Sequence, residues 1–596
     1  MLAAASVLEA NVHAAVTLAA GEPAAAFDVT LLGVDFSEPT DVAELPDGRV
    51  VVIERLGDVY VVEKNGDQAV AGHITVAPEF GEQGLLGVVA DPDFASNGYL
   101  YFYASAEPTS GDPMNKHKVY KIKLGADSML DSARDTIIDK GLRASRSSVD
   151  GGASNHNGGG LVIYKNQLYL SVGDTGHNHT PPVNELATCL NSTNGKILRV
   201  NLDGSVPSDN PLSNETSVTG CDDWNTPLKS TAPEKRIFAW GMRNPYRFWI
   251  DPQTSRLWIG DVGETTREEV SVGSPIDGGG PGAQGEHFGW PFAEGTTQYS
   301  TSEVPFQPSN SCMGVAPARA CVPPAYDYGH SNGNACVIGG LIPGGCGWEA
   351  PWTSRYLFGD NSSGTIWYLE VTAARDGVLS TTPTTFAASS GVGSFRMGSL
   401  GTLYVADVKG GVVSKITPKG LDVTTCPPVG SGGLGGAGGE AGAGDQGGTG
   451  GTGGGRSMGG TGNQNGGTRN GGTSSSGASG EQTGGEPAAE AGTDGGPSGG
   501  VSNGGRSGGG VSGTTSGRGG SGASAAGGSG AQGGTGNQDL TVERSHACLC
   551  GVPQRGPAGA MWGSVGVAGL AAALLRRRRR SGAVRRSCAR SQGHGR

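Results

Sequence analysis

The sequence predicts an all-β body folded as a six-bladed β-propeller, and three observations lead there. A pair of short β-type runs joined by an acidic or glycine-containing turn returns six times between residues 50 and 416. Almost no stretch carries apolar residues at the 3.6-residue helical period. The pairs are unequally spaced, as blades with long inserted loops would be, and such loops converge over the channel where propellers bind ligands. A decorated β-sandwich is the competing architecture.

The first pair is Val50–Glu54 with Val59–Val62, and the second is Tyr99–Tyr103 with Val119–Ile122. The third joins Leu168–Val172 to Lys196–Val200, and the fourth Leu257–Asp261 to Glu269–Val272. Tyr356–Asp360 with Thr365–Leu369, then Leu403–Asp407 with Val412–Ile416, complete the set. Each run is rich in β-branched and aromatic residues and is bounded by turn formers, the signature of a strand.

The propeller is placed over residues 27–425, long enough to bury an ample core. Residues 1–26 form an Ala-rich extension without a basic leader, at most a partial export signal. Residues 429–545 are Gly- and Ser-rich without an aromatic side chain, so they cannot offset their ordering entropy and read as a disordered tether. Within the closing segment 546–596, residues 558–575 are uncharged and mostly apolar, and Arg576–Arg580 follow directly. That pattern predicts a minimal membrane span backed by a basic block.

The net charge is −12 although ten arginines lie from Arg555 onward, so the body is strongly acidic. An acidic body argues against nucleic acid as a partner, because phosphate binding needs clustered Lys and Arg. Ten cysteines include no CxxC pair. The near couples Cys312/Cys321 and Cys336/Cys346 suit disulfides in an oxidising compartment; reduced cysteines are the alternative, and connectivity is not readable from sequence.

The stretch most suggestive of chemistry is Asn155-His156-Asn157-Gly158-Gly159-Gly160, followed by runs Leu161–Tyr164 and Gln167–Val172 and then Gly173-Asp174. Lys165-Asn166 between the runs predicts a tight hairpin. His156 beside a glycine floor, with Asp174 at a strand exit, forms a candidate base held by a carboxylate. A polar-loop histidine near a turn aspartate is the plainer reading. Asp174 is expected to raise the imidazole pKa. His177 and His179, with Asp174, could form a metal site, although the Pro-rich context reads as loop. Trp240, Trp249, Trp258, Trp290 and Tyr246 are candidates for stacking on a sugar or for blade core.

Several stretches, in one order, resemble a known family. Glu82–Gly87 with Asp91–Phe94, the His156–Gly159 segment, Gly195–Arg199, Gly241–Pro245, and Asp261–Gly263 with Arg267–Val270 and Phe288–Pro291 resemble motifs of the soluble PQQ-dependent glucose/sorbosone dehydrogenases. That group takes in aldose sugar dehydrogenases and hedgehog-interacting-protein-like propellers. The resemblance implies a six-bladed propeller holding pyrroloquinoline quinone (PQQ) with Ca²⁺, and oxidation of an aldose by hydride transfer. It implies His156 as general base, Asp174 as its orienting partner and Arg243 as the group facing charge on the quinone oxygen. It further implies Gln83, Arg243 and Asn244 around the cofactor, and the carbonyls of Gly263 and Glu264 on the Ca²⁺.

Two departures stand beside it. Asn155 occupies the place of a carboxylate before the base, and the basic clamp for the cofactor's carboxylates is not found: Asn332–Gly339 and Ser390–Gly398 offer only Arg396. A non-catalytic propeller binding a carbohydrate or protein ligand, or a structural surface protein, is therefore the alternative. Cys548-Leu549-Cys550, the apolar span and the Arg block resemble the C-terminal sorting signals of myxobacterial surface proteins, which implies an exported protein at the cell envelope. The electron acceptor and oligomeric state are not legible.

Overall fold

The computed structural model describes residues 15–77, 82–106, 116–143, 155–175, 185–218, 232–277, 285–298 and 321–426. Within them the chain forms six antiparallel sheets of four or five strands, the blades of a propeller, and one two-stranded sheet of Ala293–Glu294 with Thr297–Gln298. Blade 1 consists of Pro39–Glu44, Val50–Glu54, Asp58–Val62 and Gln68–His73. Blade 2 consists of Leu85–Ala90, Tyr99–Ser105, His117–Leu124 and Leu130–Ile138, and blade 3 of Leu161–Tyr164, Gln167–Val172, Lys196–Asn201 and Ile237–Trp240. Arg247–Ile250, Arg256–Asp261, Arg267–Pro275 and Tyr326–Gly329 make blade 4. Val337–Leu341, Arg355–Asp360, Thr365–Glu370 and Thr384–Ala388 make blade 5, with Thr17–Leu18 added at its outer edge.

Blade 6 takes Val392–Met397, Leu403–Asp407 and Val412–Pro418 from the end of the body and Phe27–Gly33 from its beginning. Phe27 pairs with Pro418 and Val29 with Ile416, so the two ends of the body close the ring in one sheet. Each of the six β pairs read from sequence is the second and third strand of a blade. Those strands carry the strongest β character because both their faces are packed: Tyr101, Phe102, Trp258, Tyr356 and Phe358 are all buried in them.

The first strand of every blade lies innermost, next to the first strands of both neighbours. Aromatic contacts lock adjacent blades, as where Trp258 of blade 4 stacks on Tyr356 of blade 5 at 4.5 Å between ring centroids. The Lys165-Asn166 turn is formed as expected, with both residues at positive φ (48° and 59°) between paired strands, the backbone that a two-residue hairpin needs.

Cys346, in the connection between the first two strands of blade 5, is bonded to Cys426 just past the last strand. This corrects the expected Cys336/Cys346 couple: the fold carries the chain end back to blade 5 across 80 residues, and proximity in sequence did not predict it. Cys189, Cys321 and Cys336 are also disulfide-bonded. No helix among the described residues is long and apolar enough to cross a membrane. The tether, the apolar span 558–575, the Arg block and the His177/His179 pair all lie outside the described residues.

Candidate functional site

An antiparallel blade brings the start of its first strand and the end of its second strand to the same end of the propeller. The segments at 82–84, 155–160 and 243–244 precede the first strands of blades 2, 3 and 4, while Asp174 and the 261–266 segment follow second strands of blades 3 and 4. All the candidate residues therefore meet at one end.

His156 is buried, and its Nδ1 lies 2.6 Å from Asp174 Oδ1. A carboxylate accepts, so this contact puts the ring proton on Nδ1 and the lone pair on Nε2. Nε2 is buried and has no hydrogen-bond partner among the described residues. The backbone of His156 sits at φ 62°, a left-handed conformation costing a side-chain-bearing residue about 1–2 kcal/mol. It is held there by its N–H, which donates to Glu82 Oε2 at 2.7 Å. The glycines that follow let the neighbouring blade approach: a Cβ on Gly159 (φ 111°) would stand 2.5 Å from Leu86 Cβ.

Asp174 is tied on every side. Its N–H donates to the Arg243 carbonyl at 2.8 Å, and its Oδ2 accepts the indole N–H of Trp290 at 2.8 Å. Arg243 donates from Nε to Glu264 Oε2 at 2.6 Å, from a terminal nitrogen to the same oxygen, and from Nη1 to the Val262 carbonyl at 3.0 Å. Its guanidinium lies 5.7 Å from the Trp290 ring centroid. Asn244 Oδ1 accepts from Gly158 N–H at 3.1 Å. Asp261 accepts the N–H groups of both Arg243 (3.0 Å) and Asn244 (2.7 Å), fixing that dipeptide from below. Gln83 is buried, and its carbonyl accepts from Arg55 at 2.9 Å. His156, Asp174, Arg243, Asn244 and Glu264 thus belong to one connected network, and Gln83 lies next to Glu82, which holds the His156 backbone.

The electrostatics correct one expectation. Burial and the nearby Arg243 charge push the His156 pKa below the ordinary imidazole value, outweighing the opposite pull of Asp174 and Glu264. The ring is thus neutral over a wider pH range than the Asp174 contact alone suggests.

Three supports, two of them within quoted motifs, had no such role assigned from sequence. Lys196 is buried and donates to the carbonyls of Leu186 (2.7 Å), Ala187 (2.9 Å) and Asn194 (2.6 Å). The Asn194 amide in turn donates to the Gly173 carbonyl at 3.0 Å, beside Asp174. Residues 285–288 run beside Trp240 in the insertion between the last two strands of blade 4 and deliver Trp290 to Asp174. The same insertion carries Glu294, whose Oε1 accepts the N–H groups of Glu264 (2.7 Å), Thr265 (2.8 Å), Thr266 (2.8 Å) and Arg267 (3.0 Å). The Phe-Gly-Trp-Pro stretch was a signal for Trp290; nothing local marks Glu294.

Charged side chains fill the centre of the ring. Arg247 Nη2 donates to the carbonyls of Thr40 and Leu86, each at 2.9 Å, spanning from blade 4 to blades 1 and 2. Arg396 of blade 6 meets Asp41 of blade 1 through two nitrogens, at 2.9 and 2.5 Å. The one basic residue in Ser390–Gly398 is therefore committed to an internal ion pair. Trp240, Trp249 and Trp258 lie in the packed blade cores. Among the described residues, no group of three His, Cys, Asp or Glu side chains is placed to hold a metal ion.

The family model for glucose/sorbosone dehydrogenases matches residues 36–331, a span that contains blades 1 to 4 and every residue of the network above. The aldose sugar dehydrogenase of Escherichia coli is 24% identical over 285 residues, 47% of this chain and 66% of that protein. Quinoprotein glucose dehydrogenase B of Acinetobacter calcoaceticus is 25% identical over 290 residues, 45% of this chain and 53% of that protein. Each alignment thus spans less than two thirds of the curated relative. The crystal structure of the soluble Escherichia coli aldose sugar dehydrogenase in its apo form superposes with a TM-score of 0.50 and 21% identity, covering 66% of this chain and 100% of that one, a likeness of fold. With the propeller, the ordered motifs and the family match in agreement, residues 36–331 of the chain belong to the glucose/sorbosone dehydrogenase family.

Proposed function

We propose that the propeller is a quinone-dependent dehydrogenase that oxidises an aldose or related sugar. The observation that carries this reading is the buried His156–Asp174 pair, with Nδ1 held and Nε2 without a partner among the described residues. In the oxidation, the hydroxyl proton passes to His156 Nε2 as the hydride leaves the same carbon, giving a lactone or carbonyl product and an imidazolium. Asp174 fixes the tautomer that makes Nε2 the acceptor and stabilises the charge that forms.

The segments that carry the site hold further buried polar atoms with no partner among the described residues: Asn155 Oδ1, Asn244 Nδ2 and Thr175 Oγ1. Such atoms are costly unless a polar ligand satisfies them, and a planar, carbonyl-bearing quinone with its hydroxylated substrate suits them. Gln83, Arg243 and Asn244 would hold PQQ, with Ca²⁺ on the carbonyls of Gly263 and Glu264. When bound, the quinone supplies the hydride acceptor and the cation polarises its carbonyl. Arg243 stands ready to face negative charge there, already oriented by Glu264 and Val262.

One observation favours a second reading, a non-catalytic propeller that binds a carbohydrate or protein ligand: Arg396 is spent on Asp41, which leaves the cofactor's carboxylates without that clamp. The deciding experiment adds PQQ and Ca²⁺ to the purified full chain and follows bound-quinone absorbance and dye reduction with a panel of aldoses. Bound quinone and sugar-dependent turnover are expected. Absence of quinone binding would overturn the dehydrogenase reading in favour of the binding module.

We further propose that the protein works outside the cytoplasm, fastened to the cell envelope by the C-terminal segment; a disulfide closing the body suits an oxidising compartment. Deleting residues 545–596 should release the folded body, and a body equally envelope-bound after deletion would overturn this.

A further inference from the structure

The turn from Gly263 to Arg267 is very tight: a Cβ on Gly263 would stand 1.6 Å from the Arg267 carbonyl oxygen. Its N–H groups at 264, 265, 266 and 267 all converge on a single acceptor, Oε1 of Glu294, while Oε2 of Glu294 takes the Thr266 hydroxyl at 2.7 Å. Glu294 is buried, at 1% exposure. Five donors, four backbone N–H groups and the Thr266 hydroxyl, meet its two oxygens, an arrangement that suits an ionised carboxylate. An anion seated in successive backbone N–H groups fixes the conformation of the turn around it.

The side chain that this turn presents to the site is Glu264, and Glu264 is what holds the Arg243 guanidinium. Four residues before Glu294, Trp290 holds Asp174. One inserted segment therefore sets both halves of the site from outside: the base through Trp290 and the arginine through the turn.

We propose that Glu294 is a positioning residue for Arg243, acting through the 264–267 turn and the Glu264 carboxylate. It touches neither substrate nor cofactor. The relevance of Arg243 to turnover rests on the dehydrogenase reading above, but the coupling of Glu294 to Arg243 does not, and it is measured without cofactor or sugar.

The test follows two signals in the isotope-labelled full chain: the Arg243 Nε–H resonance, protected from solvent exchange while bonded to Glu264, and the titration midpoint of His156. The charges facing the imidazole are Asp174, Arg243 and Glu264, and Arg243 is the one that depresses it most. In Glu294→Ala the Arg243 signal should be lost to exchange and the His156 midpoint should move up. Asp251→Asn serves as control; Asp251 is a buried carboxylate in the turn between the first two strands of blade 4, at the other end of the blade, where it meets Arg375 at 2.8 Å. It should lower the melting temperature and leave both signals in place. If Glu294→Ala does not fold, Glu294→Gln carries the test, because it keeps the shape and removes the charge that gathers the N–H groups. An unchanged Arg243 signal and His156 midpoint in whichever of the two variants folds would overturn the proposal. Failure of the wild type to bind quinone would leave it intact and overturn only the functional reading.

Discussion

The Trp290 indole N–H donates to Asp174 Oδ2 at 2.8 Å across 116 residues of sequence, while His156 occupies the other carboxylate oxygen. Asp174 is thereby prevented from rotating, and the imidazole has one orientation. Trp290→Phe keeps the ring bulk and removes the donor. A hydrogen bond to a charged group contributes about 1.5–3 kcal/mol, so the variant should unfold at lower denaturant by that order. It should also reduce sugar-dependent turnover with little change in quinone affinity, as read by denaturant titration, dye reduction and quinone absorbance.

His156→Ala should cost about 10²–10⁴-fold in turnover, the usual contribution of a positioned general base. The pH profile carries more information. Because burial and Arg243 depress the His156 pKa, the rise of activity with pH should be centred below the ordinary imidazole value of about 6.5. Arg243→Met removes the depressing charge and should move that limb upward. A wild-type limb centred above the ordinary value would mean that Asp174 dominates after all.

His117, His156 and His287 are all buried with depressed pKa values; burial, helped by the Lys116 and Lys196 charges, takes His117 and His287 down to about 3. Below pH 6.5 the unfolded chain binds protons that these folded rings refuse. Stability is therefore fully present above the unfolded pKa and falls as pH drops, by about 1.4 kcal/mol per pH unit for each ring. Melting temperatures should fall steeply between pH 6 and 4, ahead of most carboxylate titration. His287→Asn should flatten the slope, since one of the rings that refuse the proton is removed.

Arg396 and Asp41 make a different kind of test. Breaking a buried ion pair from one side leaves an uncompensated charge and costs about 3–5 kcal/mol. Arg396→Met should therefore destabilise the body strongly. Because Arg396 is committed to Asp41 at 2.9 and 2.5 Å, any quinone affinity of the folded fraction should be unaffected. Tenfold weaker quinone binding in the folded variant would instead identify Arg396 as part of the carboxylate clamp.

What the sequence could say about the fold depended on which strands carry the pattern. The second and third strands of each blade announce themselves through packed β-branched and aromatic residues. The innermost strands do not: Val337–Leu341 contains two glycines, and Pro39–Glu44 begins with proline and buries Asp41. They are placed by the ring, not by propensity. Outer strands such as Leu130–Ile138 are mostly exposed and polar, and read as loop. At the site, His156 and Asp174 were legible because one hairpin separates them. Trp290 and Glu294 act across an insertion whose return path no local pattern encodes. Cys346 failed as a neighbour of Cys336 for the same reason, since its partner arrives only when the ring closes.

Oxidation of Cys346 to Cys426 also has a measurable signature. Unreduced peptide mapping should recover that cross-link, and Cys346→Ser should cost about 2–4 kcal/mol, the usual range for a disulfide closing a long loop. A free thiol at Cys426 in protein purified from an oxidising compartment would contradict the pairing.

That bond also gives the molecule a polarity. It lies where the innermost strands finish, whereas His156, Asp174 and Arg243 lie where they begin. Cys426 is therefore pinned at the end opposite the site, and reducing the bond should loosen that end of the ring while leaving the groups around His156 in place.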